Sequence, residues 1–160
     1  MNKTRKIVFT SLFAALCCVL TMVIKIPSPI GGFMNLGDAA VLSSGYFLGG
    51  AYGFFAAAIG SCLADVFSGY IIYAPATFVI KGLMALVVFA FSKKEKRIHL
   101  ITGALLTEIL MCLGYYIFEG FLYGFKEALI NVPSNLIQGI FGVFAGLFLI
   151  GIFKKSKINF

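Results

Sequence analysis

The sequence predicts an all-α integral membrane protein: six transmembrane helices in one domain over residues 1–160, with both termini cytoplasmic. Three observations carry this. Of the 160 residues, 61% are apolar and only 12% charged, well below the roughly 25% of an ordinary soluble domain; so little polar surface does not cover a globule in water. Six apolar runs approach the roughly 20 residues that a spanning helix needs. Ten of the thirteen lysines and arginines fall in three short clusters flanking those runs.

The runs are Ile7–Ile24, Ala39–Phe55, Ala56–Tyr73, Thr77–Phe91, Ile98–Leu122 and Val132–Phe153. The first follows basic residues, as a signal peptide would. No small-x-small cleavage pattern closes it and further spans follow, so it reads as a membrane helix. The second and third are almost continuous, and the glycine-rich stretch Gly49 to Gly53 supplies the turn between them. Lys3, Arg5 and Lys6 precede the first span. Lys93, Lys94, Lys96 and Arg97 separate the fourth and fifth, and Lys154, Lys155 and Lys157 follow the sixth. Six spans put all three clusters on one face, which the positive-inside rule makes cytoplasmic. The net charge of +7 therefore reports topology, not a nucleic-acid partner.

The three outer connections, Lys25–Val41, Ser68–Thr77 and Phe118–Asn135, carry prolines, glycines and aromatic residues. Irregular backbone near membrane depth persists only where protein or a water-filled cavity satisfies its polar groups. This asymmetry points to recognition on the outer side. Tyr70, Tyr73, Tyr115, Tyr116 and Tyr123 are outer, while Tyr52 alone is assigned to the inner turn. An interfacial belt would populate both faces, so the bias favours stacking surfaces for a flat ligand.

Charges at bilayer depth are costly and mark functional candidates. Here they fall in register. Ser61, Asp65 and Ser68 share one helical face, as do Thr77 and Lys81, then Glu108, Cys112, Tyr115 and Glu119, then Asn131, Asn135, Gln138 and Gly142. Lipid cannot satisfy such stripes, so they turn toward one another and enclose a polar cavity open to the outside. The plainer reading pairs Lys81 with Asp65 or Glu108 and leaves the amides as glue between helices.

Other chemistries find no support. One histidine and four scattered cysteines give no metal spacing, no cofactor motif appears, and neither a nucleophile–base set nor a nucleotide-binding phosphate loop occurs. The chain does not read as an enzyme. Small residues at i, i+4 recur in Ser11/Ala15 and Ala14/Cys18 of the first span, in Gly49/Gly53, and in Gly142/Gly146. That spacing lets helices approach closely. The first span has no polar stripe, so its small-residue face is available to another membrane protein.

From Asn35 to Leu83, N-x-G-D, a glycine turn, L-A-D, G-Y-x-x-Y-x-P and K-G follow one another. In this order the chain resembles the substrate-binding S component of an energy-coupling-factor (ECF) vitamin transporter. The resemblance implies a six-helix bundle that binds a vitamin or precursor at the outer side, under the loop joining spans one and two. It implies as partners a transmembrane coupling subunit and two ATPases in a bacterial cell membrane, which would explain why no phosphate loop is needed here. Carried over by position, it nominates Asn35, Asp38, Tyr73, Lys81, Tyr115, Glu119, Asn131 and Asn135 for substrate. It nominates Ser11, Ala14, Ala15 and Cys18 for docking, although the family often has alanine at both places of that motif. The expected ligand is a small heteroaromatic compound, such as a pyrimidine or pyridine vitamin precursor. A structural subunit of a membrane complex and a stand-alone secondary transporter are the alternatives.

Overall fold

The computed structural model describes residues 2–93 and 96–156; Lys94 and Lys157 of the basic clusters lie outside them. Helix α1 (Lys3–Val23) opens on Asn2, whose Oδ1 accepts a hydrogen bond from the Arg5 amide at 3.0 Å. It buries Phe13, Cys17 and Thr21 at i, i+4 spacing and leaves Ile7, Leu12, Val19 and Val23 exposed as a lipid-facing surface. A small antiparallel hairpin follows, β1 (Ile26–Pro27) against β2 (Phe33–Met34). Then come α2 (Gly37–Phe47), α3 (Gly50–Phe67), α4 (Ala74–Ser92) and α5 (Arg97–Tyr123). The chain ends with α6 (Phe125–Ala128), a 3-10 turn at Leu129–Asn131, and α7 (Val132–Lys155). Pro75 and Pro133 sit in the first turns of α4 and α7, where a missing N–H costs nothing.

Among the described residues, α1, α3, α4, α5 and the run from α6 through α7 are long and apolar enough to cross a membrane. The remaining helix, α2, is different. Its 11 residues span about 16 Å, half of a hydrocarbon core about 30 Å thick. All of Gly37 to Gly45 is buried, packed against α1, α3, α4 and α7. The expected span Ala39–Phe55 is corrected accordingly. The helix stops at Phe47, the chain turns at Leu48 and Gly49, and α3 starts at Gly50 rather than Ala56. Gly49 has φ +62°, open to glycine and strained for other residues. The apolar run was continuous because a helix buried in protein is as apolar as one facing lipid, with no demand on its length.

Two further expectations change. Phe118–Asn135 is helical almost throughout, interrupted by a turn at Gly124, so α5 is longer than Ile98–Leu122 and little of that connection is loop. The basic end also holds a second tyrosine besides Tyr52. Lys6 Nζ lies 5.5 Å from the Tyr52 ring and Lys154 Nζ lies 4.6 Å from that of Tyr46. Phe13, Phe47 and Phe153 meet between them, with ring centroids 5.8–6.3 Å apart. These contacts gather the start of α1, the α2–α3 turn and the end of α7 at one end of the bundle, opposite the hairpin.

Candidate functional site: a capped hollow under the hairpin

The hairpin lies over the end of the bundle opposite the basic clusters, tied down by side chains far away in sequence. Asn131 Oδ1 accepts from the Ile30 amide at 3.3 Å, and its Nδ2 donates to the Gly31 carbonyl at 3.1 Å and to Glu119 Oε1 at 2.9 Å. Gln138 Oε1 accepts from the Asn35 amide at 3.0 Å, and Asn35 Oδ1 in turn accepts from the Gly37 amide at the start of α2. On the other flank, Lys25 Nζ donates to Ser68 Oγ at 3.2 Å. Gly32, at φ +70°, brings the hairpin tip down onto Tyr73. Replacing Asn131 by alanine is expected to release this cap at a cost of about 1–3 kcal/mol, the price of stranding buried polar groups. Amide exchange should accelerate across 26–34 while the helices keep their protection.

Beneath the cap, Phe33, Tyr70, Tyr73, Tyr115 and Phe118 form a chain of rings. Centroids lie 4.8 Å apart for Phe33–Tyr70, 6.3 Å for Tyr70–Tyr73, 6.5 Å for Tyr73–Tyr115 and 5.3 Å for Tyr73–Phe118. Tyr73 donates to Glu119 Oε1 at 3.3 Å. Burial, reinforced by the neighbouring Tyr123 hydroxyl and the Glu119 carboxylate, pushes the Tyr73 phenol far above its ordinary range; it stays protonated and a donor. Thr77 and Tyr115 hydroxyls lie 3.0 Å apart.

Five of the eight nominated residues, Asn35, Tyr73, Tyr115, Glu119 and Asn135, line one hollow among these rings. It measures about 30 Å³, room for little more than a water, whereas drug-sized ligands occupy roughly 300–1,000 Å³. Two polar atoms of lining residues, Glu119 Oε2 and Asn135 Nδ2, are buried with no hydrogen-bond partner among the described residues. One is an acceptor and the other a donor. Ser28, Gly31, Gly32, Phe33, Tyr70, Thr77 and Gln138 also line it without having been nominated. Thr77 and Gln138 stood in the polar stripes, and the glycines and Phe33 in the proline- and glycine-rich first connection, so the signal was present but unranked.

Asp38, Lys81 and Asn131 do not line the hollow. Asn131 holds the cap from outside it. Asp38 and Lys81 form a buried ion pair at 0% and 3% side-chain exposure, one layer deeper. Lys81 thus pairs with the first turn of α2, not with Asp65 or Glu108, because Asp38 reaches it from across the bundle. Asp38 Oδ2 also accepts from Gln138 Nε2 at 2.6 Å, and Lys81 Nζ lies 5.6 Å from the Tyr115 ring. The pair therefore anchors the floor, through Gln138 to the hairpin and through Tyr115 to the ring wall.

The docking candidates divide between two surfaces. Ser11 and Ala15 are exposed on α1. Ala14 turns inward, where any side chain at Gly60 would press on its carbonyl, and Cys18 Sγ contacts Met22 Sδ at 3.8 Å. Gly142 and Gly146 serve internal packing, against Glu108 and Leu42. Among the described residues no group of His, Cys, Asp and Glu could hold a metal ion.

Residues 1–155 match the family described as "ECF-type riboflavin transporter, S component". The chain is 36% identical over 139 residues to a Pyrococcus woesei protein described as "Uncharacterized protein in gap 3'region", covering 86% of this chain and 93% of that one. It is similar in fold to the S component of a bacterial ECF transporter, with a TM-score of 0.77 and 24% identity over 98% of this chain and 100% of that one. A membrane bundle with a capped aromatic hollow, matched over nearly its whole length, belongs to the ECF-type riboflavin transporter S-component family: the chain is the substrate-binding subunit of an ECF vitamin transporter.

Proposed function

We propose that the outer hollow takes a flat heteroaromatic vitamin, stacked among Tyr70, Tyr73 and Tyr115 and fixed by Glu119 and Asn135. The observation that carries this is the pair of unpartnered buried atoms, Glu119 Oε2 and Asn135 Nδ2, in the wall of an aromatic hollow. A ring edge presenting a donor beside an acceptor satisfies both at once, and the stacked rings supply apolar contact. Riboflavin, for which the matched family is described, offers such an edge on the pyrimidine-dione side of its tricycle. A second reading is a single-ring pyrimidine or pyridine compound, for which the hollow of about 30 Å³ would have to open less. Either ligand requires the hairpin to lift or the tyrosines to swing.

Titration of the detergent-purified protein separates the two. Riboflavin should bind saturably with quenching of its fluorescence and should not be displaced by single-ring compounds; displacement favours the smaller ligand. No saturable binding of either class overturns the site.

In this reading the basic end faces the cytoplasm, supported by the positive clusters, and the hairpin faces outward. The loaded protein works with a transmembrane coupling subunit and two ATPases, since no phosphate loop is present in this sequence. Uptake by the chain alone in ATP-free vesicles would argue against that division of labour. The exposed Ser11 and Ala15 on α1 form the docking face. Ala15→Trp is expected to abolish co-purification with the coupling module while leaving vitamin affinity within about twofold, because the change is remote from the hollow.

A further inference from the structure

Away from the hollow under the cap, two concavities share residues of α5 and α7. Where α5 and α7 run side by side, a groove of about 560 Å³ is lined by apolar side chains including Ile101, Leu105, Ile140, Phe144 and Leu147. Glu108 contributes to its wall but keeps both carboxyl oxygens buried beneath the surface. The lining runs along α7 from Leu136 to Leu147, about 16 Å of helix, or one leaflet's share of a hydrocarbon core about 30 Å thick. At the basic end it gives way to a hollow of about 390 Å³ holding Lys96, Arg97 and Lys154, with Tyr46 and Ser92 beside them. Leu147 lines both hollows, so they adjoin along α7.

Among the described residues, the charged side chains lining the hollow at the basic end are all positive. No carboxylate among the described residues lies within ion-pair distance of Lys96, Arg97 or Lys154; the ion pair found among them, Lys81–Asp38, does not line this hollow. Helix α5 begins at Arg97 without a side-chain cap, so its unpaired amides and positive dipole end add to the same field. Three cations above an apolar channel of one-leaflet depth match a single ligand shape: a phosphate head with a long hydrocarbon tail.

We propose that this seam binds one anionic phospholipid, with its phosphate among Lys96, Arg97 and Lys154 and one acyl chain along the α5–α7 groove. The orientation proposed above makes this a lipid of the cytoplasmic leaflet. Free phosphate would meet the cations but leave the groove unexplained. An acidic segment of a partner subunit would meet neither its depth nor its apolarity.

The test uses the full chain in detergent, with dioleoyl phosphatidylglycerol, dioleoyl phosphatidylcholine or inorganic phosphate added separately. Native mass spectrometry should show one phosphatidylglycerol retained at least about tenfold more tightly than phosphatidylcholine, with a matching rise in unfolding temperature. The triple variant K96Q/R97Q/K154Q should lose that preference while unfolding, without lipid, at the wild-type temperature. Ile140→Trp, filling the groove, should weaken both lipids. Should the triple variant fold poorly, K154Q alone should still reduce the preference. Equal retention of the two lipids overturns the proposal. So does stabilisation by phosphate alone equal to that by lipid, or a triple variant that keeps the lipid preference and loses only association with the coupling module. Riboflavin affinity should be unchanged in all of these variants, so failure of the lipid site and failure of the vitamin site remain distinguishable.

Discussion

Lys81→Met is expected to destabilise the folded protein by about 3–5 kcal/mol, because it leaves the Asp38 carboxylate fully buried without its counter-charge. Asp38→Leu should cost a similar amount by stranding the ammonium group. The double variant should recover most of the loss, since an apolar pair of similar volume needs no desolvated charge. A double-mutant cycle in thermal or denaturant unfolding of the detergent-solubilised protein measures this coupling. Two additive single effects of under about 1 kcal/mol would remove the pair from the fold's foundations. Vitamin affinity should fall in both singles as well. Gln138 is held by Asp38 at 2.6 Å and itself holds the Asn35 amide at 3.0 Å, so disorder at the floor reaches the cap.

Glu119→Gln is expected to weaken vitamin binding by about 10- to 100-fold with little change in unfolding. One carboxylate oxygen already serves Tyr73 and Asn131, at 3.3 Å and 2.9 Å. Glutamine can retain that acceptor but replaces the second oxygen, buried without a partner among the described residues, with an amide donor, and a hydrogen bond to a charged group is worth about 1.5–3 kcal/mol. Asn135→Ala removes a neutral donor and should cost about 1 kcal/mol. Calorimetry with riboflavin, and with the smaller ring compounds, reads both. Unchanged affinity in the two variants would remove these residues from the site.

What was legible in the sequence followed from local periodicity. The apolar runs locate α1, α4, α5 and α7 because lipid demands both length and apolarity. The i, i+4 stripes bring Tyr115, Glu119, Asn135, Thr77 and Gln138 to the same end of the bundle because a helix repeats its faces. What was not legible depends on contacts across the bundle. Nothing local to Lys81 tells Asp38 from Asp65 or Glu108 as its partner; the choice is made by α2 lying at the centre, and the length of α2 is hidden in a run that continues into α3. Likewise, Asn131 looks like one more polar member of a stripe, and only the hairpin folding back reveals it as a tether.

The tether has a kinetic consequence. One amide grips both the hairpin and the carboxylate wall that would meet the vitamin, so on the proposed binding mode any exit by way of the hairpin would first have to break that grip. Escape by that route would then be timed by the latch as well as by the strength of the embrace beneath it. Cargo taken from scarce surroundings would stay aboard until another subunit forces the catch.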